Sequence, residues 1–171
     1  GVKFSSLQLA SHASNAGKIV IGGNVTFAQT GGAGTSTIRS TGTLAQAGSI
    51  SLSTGNRTVT VIDGAASVEL NVRVSVGGAG RLIKAGDGTL HLATANSYSG
   101  GTSVVNGVLQ VADDNRLGTV RGSAQADNII LDGGVLPTGA QINSVSLANA
   151  GTGYTSFPTL TIGGAGASAM A

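Results

Sequence analysis

A glycine, any residue, and then a leucine or valine entering a short apolar run recurs along this chain. It stands at Gly23-Asn24-Val25, Gly42-Thr43-Leu44, Gly80-Arg81-Leu82, Gly88-Thr89-Leu90, Gly107-Val108-Leu109 and Gly134-Val135-Leu136. The steps from Gly23 to Gly42 and from Gly88 to Gly107 are both 19 residues, and Gly42 to Gly80 is twice that. Gly107 to Gly134 is longer, at 27, and Gly80 to Gly88 marks a different element. A period near 20 is the size of one turn of a solenoid, in which each unit buries its apolar face only against its neighbours.

Within the units the apolar residues alternate. Val68, Leu70, Val72, Val74 and Val76 are separated by Glu69, Asn71, Arg73 and Ser75. That is the period of a strand with one dry and one wet face. Thr89-Leu90-His91-Leu92 and Val108-Leu109-Gln110-Val111 repeat the pattern, and no segment sustains a helical period. Short aliphatic runs such as Lys18-Ile19-Val20-Ile21 and Asn128-Ile129-Ile130-Leu131 add strand formers.

Composition separates this reading from its rivals. Glycine fills 29 of 171 positions, charged residues make up 9%, aromatics 3%, and Trp is absent. Disorder needs low hydrophobicity and high net charge, whereas hydrophobic residues reach 40% here and the net charge is +2. A sandwich core is ordinarily built on large aromatics, and hairpins favour Asn-Gly or Asp-Gly turns. Asn106-Gly107 and Asp63-Gly64 fit hairpins, so that alternative stays open on turn chemistry. The period and the small side chains favour a right-handed parallel β-helix, a narrow tube filled by stacked Val, Leu, Ile and Ala. At ~4.8 Å per rung and about 20 residues per rung, residues 1–171 make a single solenoid of roughly 7–8 rungs, about 40 Å long.

The stretch from Gly80 to Gly118 carries the most specific signal. It reads Leu82-Ile83-Lys84-Ala85-Gly86-Asp87-Gly88-Thr89-Leu90-His91-Leu92, then Asn96-Ser97-Tyr98-Ser99-Gly100-Gly101-Thr102. It continues through Val104 and Gly107-Val108-Leu109-Gln110-Val111 to Leu117-Gly118. This closely resembles the passenger-associated β-strand repeat of bacterial autotransporters. That family's pattern is Leu-x-Lys-x-Gly-x-Gly-Thr-Leu-x-Leu, Asn-x-Tyr-x-Gly-Gly-Thr, a Gly-x-Leu strand and a closing Leu-Gly. Val108 departs from it, since the family usually has Thr there. The resemblance implies export through an outer-membrane pore, so the chain is expected at the bacterial cell surface or secreted, as a piece of a longer passenger. The translocator and signal peptide are expected elsewhere in the parent. It also fits a chain without Cys, because a disulfide formed beforehand would impede threading.

Arg57 to Val61 and the Val68 strand look like the lead-in to such a repeat. Over residues 142–171, Gly151-Thr152-Gly153-Tyr154, Pro158 and Leu160-Thr161-Ile162-Gly163-Gly164 are similar to a Gly-x-Gly-Tyr repeat of large bacterial surface proteins. This stretch is expected to continue the solenoid.

The motif residues have structural readings that need no ligand. Gly86, Gly88, Gly100, Gly101 and Gly107 suit corners. Asn96 suits a ladder of amides between rungs, and Tyr98 the cover of a corner. Leu90, Leu92, Leu109, Val111 and Leu117 should point inward. Thr89, Thr102, Val104 and Gly118 complete the motif.

Nothing else in the sequence assembles chemistry. Asp113-Asp114 is the only adjacent carboxylate pair and falls where the family has a variable polar turn, so a solvated turn is expected rather than acid–base work. His12 and His91 lie far apart, which suits neither a metal site nor a nucleophile–base pair. His91, between Leu90 and Leu92, should face outward. Gly31-Gly32-Ala33-Gly34 and Gly77-Gly78-Ala79-Gly80 share the start of the calcium nonapeptide but lack its Asp. Polysaccharide lyases and glycosidases also use β-helices, but they group acids on one face, whereas Asp63, Glu69, Asp87, Asp127 and Asp132 are spread singly. No catalytic, cofactor-binding or metal residues are expected. The nine Lys and Arg form no basic stripe, so nucleic acid is not expected as a partner. No apolar stretch reaches a membrane span. The expected partners are flanking β-helix repeats of the parent, a second copy stacked end to end or laterally, and a glycan or host protein. The expected role is a stalk or scaffold, with adhesin segment and self-association element as alternatives.

Overall fold

In the computed structural model the described residues are 6–12, 15–29, 34–41, 47–119 and 128–132. Along the chain, β1 (Ser6–Leu9) is followed by a two-stranded antiparallel ribbon, β2 (Ser11–His12) with β3 (Asn15–Ala16). After it come β4 (Lys18–Val20), β5 (Val25–Phe27), β6 (Ser36–Ser40), β7 (Ser49–Ser51) and β8 (Asn56–Val61). The repeat region supplies β9 (Leu70–Arg73), β10 (Ser75–Gly77), β11 (Arg81–Ala85), β12 (Thr89–Leu92), β13 (Thr102–Val104) and β14 (Val108–Gln110), and β15 (Ile129–Leu131) is the last described strand.

Three parallel sheets collect these strands in a fixed rotation. The first sheet runs β1-β6-β9-β12-β14, the second β4-β7-β10, and the third β5-β8-β11-β13-β15. Through the first three turns the chain visits first, second and third sheet in turn and then returns to the first, one strand further on; beyond β10 no described strand joins the second sheet. This is a parallel β-helix, as the sequence leads one to expect. Parallel strands need such crossovers because a two-residue turn cannot join them.

Register gives the length of each turn. Leu70 pairs with Leu90, twenty residues on, and Thr89 with Val108, nineteen on. Those two turns match the expected period. Earlier turns are longer: Ser6 pairs with Thr37, and Ser36 with Leu70. Val25 pairs with Val59 rather than with a position nineteen residues away. The Gly23-to-Gly42 step is therefore not a turn of the helix. The extra residues sit at the corners, including the β2–β3 ribbon, where an insertion leaves the sheets intact.

The alternation from Val68 to Val76 is not one strand. Leu70 and Val72 lie in β9 of the first sheet and Val76 in β10 of the second, with the chain bending at Val74. Leu70, Val72, Val74 and Val76 are all buried, so the inward periodicity survives the corner. Asp63-Gly64 and Asn106-Gly107 are corners as well, each leading from the third sheet to the first, and neither closes a hairpin.

The inside of the tube is aliphatic. Stacked inward positions bring together Leu70 and Leu90, Val72 and Leu92, and Ile50 and Val76. With Leu52, Val59, Val61 and Leu82 they form one continuous buried cluster. A wholly apolar cavity of about 80 Å³ remains among them, lined by Ile38, Ile50, Leu70, Val72, Val76 and Leu92 with their neighbours. Among the described residues, no helix is long and apolar enough to cross a membrane.

Candidate functional site

The matched motif folds into the third, fourth and fifth turns. Gly86 and Gly88 lie between β11 and β12, which carries Thr89, Leu90 and Leu92. Asn96, Tyr98, Gly100 and Gly101 form the segment before β13, which carries Thr102 and Val104. Gly107 precedes β14 with Leu109, then Val111. Leu117 and Gly118 follow a single 3-10 turn, Asp114–Arg116. Leu90 and Leu92 are buried as expected, while Leu109 and Val111 are half-buried against the same core. Leu117 is half-buried too.

Asn96 does not stack on another amide. The fourth turn has no strand in the second sheet, and Asn96 to Ser99 cover the edge of β10 instead. Ser97 N–H donates to the Val76 carbonyl at 2.8 Å and Ser99 N–H to that of Gly78 at 2.9 Å. Asn96 Oδ1 accepts the Val76 N–H at 2.8 Å. Its Nδ2 donates upward to the Arg116 carbonyl at 2.6 Å, and its backbone N–H to that of Asn115 at 2.9 Å. One buried amide thereby ties the third turn to the fifth. The reason is backbone satisfaction: a buried N–H left without an acceptor costs as much as a lost hydrogen bond.

Tyr98 is inside the tube rather than over its corner, with 1% of its surface exposed. Its hydroxyl meets Thr102 Oγ1 at 2.7 Å, and Thr102 Oγ1 donates to the Leu117 carbonyl at 3.1 Å. Since the threonine proton goes to Leu117, the tyrosine supplies the proton of the first contact. Burial pushes the phenol up to about 12, with the Thr102 contact acting in the opposite direction. Gly118 lies against the ring at a φ of 101°, and a Cβ there would come within 2.9 Å of two ring carbons.

Two charged residues, Lys84 within the repeat and Glu69 just before β9, are buried. Lys84 occupies an inward position of β11 and is fully buried. Its Nζ donates to the carbonyls of Ala85 at 2.9 Å, Gly86 at 2.6 Å and Asn106 at 3.0 Å. It caps the corners of two successive turns. Burial lowers its pKa, while Asp87 and Glu69 act to raise it. Glu69, 1% exposed, takes the Thr89 N–H at 2.6 Å on Oε2 and leaves Oε1 without a hydrogen-bond partner. The clue in the sequence is confined to Lys84, which takes an apolar position two residues after Leu82 and two before Gly86, whereas Glu69 sits at a polar position of the alternation and carries no such mark.

The remaining candidates are at the surface. Asp113 and Asp114 are exposed, and Asp113 pairs with Arg116 at 3.2 Å. His91 lies in the first sheet between Asn71 and Gln110, on the side opposite Leu90 and Leu92. Among the described residues no three His, Asp or Glu side chains gather where they could hold a metal ion. Tyr154, Phe157 and the Gly-x-Gly-Tyr stretch lie outside the described residues, as do residues 142–171 as a whole.

The family model of the passenger-associated-transport-repeat matches residues 82–111, the stretch that builds the Lys84, Asn96 and Tyr98 contacts. The chain is also 43% identical over 101 residues to the adhesin BmaC autotransporter of Brucella suis biovar 1 (strain 1330). Residues 82–111 therefore carry a repeat of the kind found in autotransporter passengers. The match covers 57% of this chain but only 3% of the Brucella protein's own length. No solved structure matches it. Within the matched stretch, buried polar side chains as well as strands join one turn to the next.

Proposed function

We propose that this chain is an autotransporter passenger segment, a β-helical scaffold of a surface-exposed or secreted bacterial protein, contributing to adhesion and carrying no catalysis of its own. The observation behind the reading is the unbroken first sheet, β1-β6-β9-β12-β14, in which strands from five turns pair in parallel. A solenoid of this kind is held by contacts between neighbouring turns, so its length scales with turn number and its ends accept further turns. Flanking β-helix repeats of the parent are the natural neighbours of β1 and β14. The same edges can pair with a second copy, which makes end-to-end self-association a property of the scaffold itself.

A second reading, in which the segment itself binds a glycan or host protein, draws on the relative named as an adhesin and on exposed arginines of the first sheet. The test replaces residues 6–119 in the parent passenger with as many turns of an unrelated β-helix. Retained adherence supports the scaffold. Lost adherence, with surface display intact, overturns it in favour of a binding segment. Release of cleaved product from a glycan panel would overturn both.

A further inference from the structure

The outer face of the first sheet is polar on β6, β9 and β12, and Val108 of β14 is its one exposed aliphatic side chain among the described residues. Alternation places Thr37, Asn71, His91 and Gln110 in one outward column, each the register partner of the next. A second outward column runs through Gln8, Arg39 and Arg73. Arg39, Arg73, Gln8 and Gln110 are exposed, and Thr37, Asn71 and His91 half-exposed. Neighbouring strands in a sheet are ~4.8 Å apart, so both columns offer one polar group per turn at that spacing.

Arg39 and Arg73 are direct neighbours on adjacent strands, an arrangement that costs free energy because like charges repel there. With its amide oxygen turned toward Arg39, Gln8 accepts from Arg39 Nε at 3.1 Å. Arg73 makes no ion pair or side-chain hydrogen bond among the described residues. None of β1, β6, β9, β12 and β14 contains an Asp or Glu, so nothing on these strands neutralises the pair. The outward positions of β6, β9 and β12 hold no aromatic or large aliphatic side chain either. Protein interfaces are centred on such anchors, whereas arginine forks read carboxylate and sulfate groups, and amides and hydroxyls suit sugar hydroxyls.

We infer that this face binds a linear anionic polysaccharide, one bearing carboxylate or sulfate groups, laid across the strands so that it crosses one turn after another. Arg39 and Arg73 take the anionic groups, and the Thr37-Asn71-His91-Gln110 column takes hydroxyls. This deepens the adhesion part of the proposed function and rests on the segment being displayed at the surface.

The experiment measures binding of the purified chain to heparin, polygalacturonate, neutral dextran and polyglutamate, at low and high salt. Arg73→Gln is compared with Lys18→Gln, which removes the same charge from the exposed end of β4 in the second sheet. The expected result is salt-sensitive binding to a charged polysaccharide, weakened roughly tenfold by Arg73→Gln and little by Lys18→Gln. Equal weakening by both variants, no effect of either, or no binding by the unaltered chain overturns the assignment. Polyglutamate binding as tight as that of the polysaccharides overturns the saccharide part. Display of the segment is scored separately, by antibody on intact cells carrying the parent. A failure of the surface reading is thereby told apart from a failure of this one.

Discussion

The hydroxyl of Tyr98 lies 2.7 Å from Thr102 Oγ1 in the interior of the tube, and Thr102 passes its own proton to the Leu117 carbonyl. This relay joins the segment before β13, β13 itself and the end of the following turn. Its phenol titrates at about 12 in the folded chain, because burial disfavours the phenolate, against an ordinary 10.0. The folded state thus holds the proton more tightly than the unfolded state. Its stabilising contribution is complete below pH 10 and lost as pH rises toward 12. A two-unit shift corresponds to about 2–3 kcal/mol. Urea unfolding across that pH window should show stability falling, and Tyr98→Phe should flatten the fall. An equal slope in the two proteins would place the effect elsewhere.

Asn96 is expected to be irreplaceable by a side chain of similar size that cannot both accept and donate. Asn96→Leu strips the acceptor from the Val76 N–H and the donor from the Arg116 carbonyl. Buried groups left unsatisfied cost about 1–3 kcal/mol each. Asn96→Asp keeps the acceptor and loses the donor, and places a carboxylate oxygen against a carbonyl. Hydrogen exchange gives the sharper readout: the Val76 amide should lose protection in Asn96→Leu and keep it in Asn96→Asp. Loss of protection in both would mean that the amide works through general packing.

Lys84 invites the opposite expectation for a buried ion. Replacing a buried charge by an apolar group is often tolerated when its partners are removed with it. Here the partners are three backbone carbonyls, which no side-chain change removes. Lys84→Met should therefore cost about 3 kcal/mol or more. In the Glu69→Gln background the cost should differ measurably, because Glu69 acts on Lys84 electrostatically. Because burial lowers the Lys84 pKa, the unfolded chain binds the proton more tightly. The lysine's contribution thus improves as pH rises from its folded pKa toward 10.5. Additive single and double variants in a thermodynamic cycle would remove the coupling from the account.

What the sequence made legible follows from what repeats. Leu90, Leu92, Leu70 and Val72 could be placed inside because strand alternation has a period of two and needs no knowledge of where the chain turns. For the same reason Val68 to Val76 read as a single strand: a corner at Val74 that preserves the alternation leaves no mark in the pattern. The turn length was legible only from Gly88 to Gly107, where the corners are short. Between β5 and β6 or β8 and β9 the corners grow, and glycine spacing no longer follows register. Asn96 and Tyr98 were recognisable as special, but not their partners. The Val76 N–H and the Leu117 carbonyl are backbone groups, identical at every residue, and only the fold selects them. Lys84 and Glu69 were hidden because charge ordinarily signals an outer surface.

Small side chains leave a consequence in the lumen. A tube filled by Val, Leu and Ile, with Tyr98 as its one buried aromatic among the described residues, retains the apolar cavity of about 80 Å³. Val72 and Val76 line it from two different sheets. Adding one methylene at Val72 buries about 0.8 kcal/mol of apolar surface if the space accepts it. Where a core is already full, the same change costs about 1–3 kcal/mol in strain. Val72→Ile keeps the β-branched shape suited to a strand and should raise the urea midpoint without changing the slope of the transition. Xenon should bind the unaltered chain and bind Val72→Ile more weakly, since a dry apolar cavity takes up such a probe. A lowered midpoint with xenon binding unchanged would show that the added methyl misses the cavity and strains the β9–β12 contact instead.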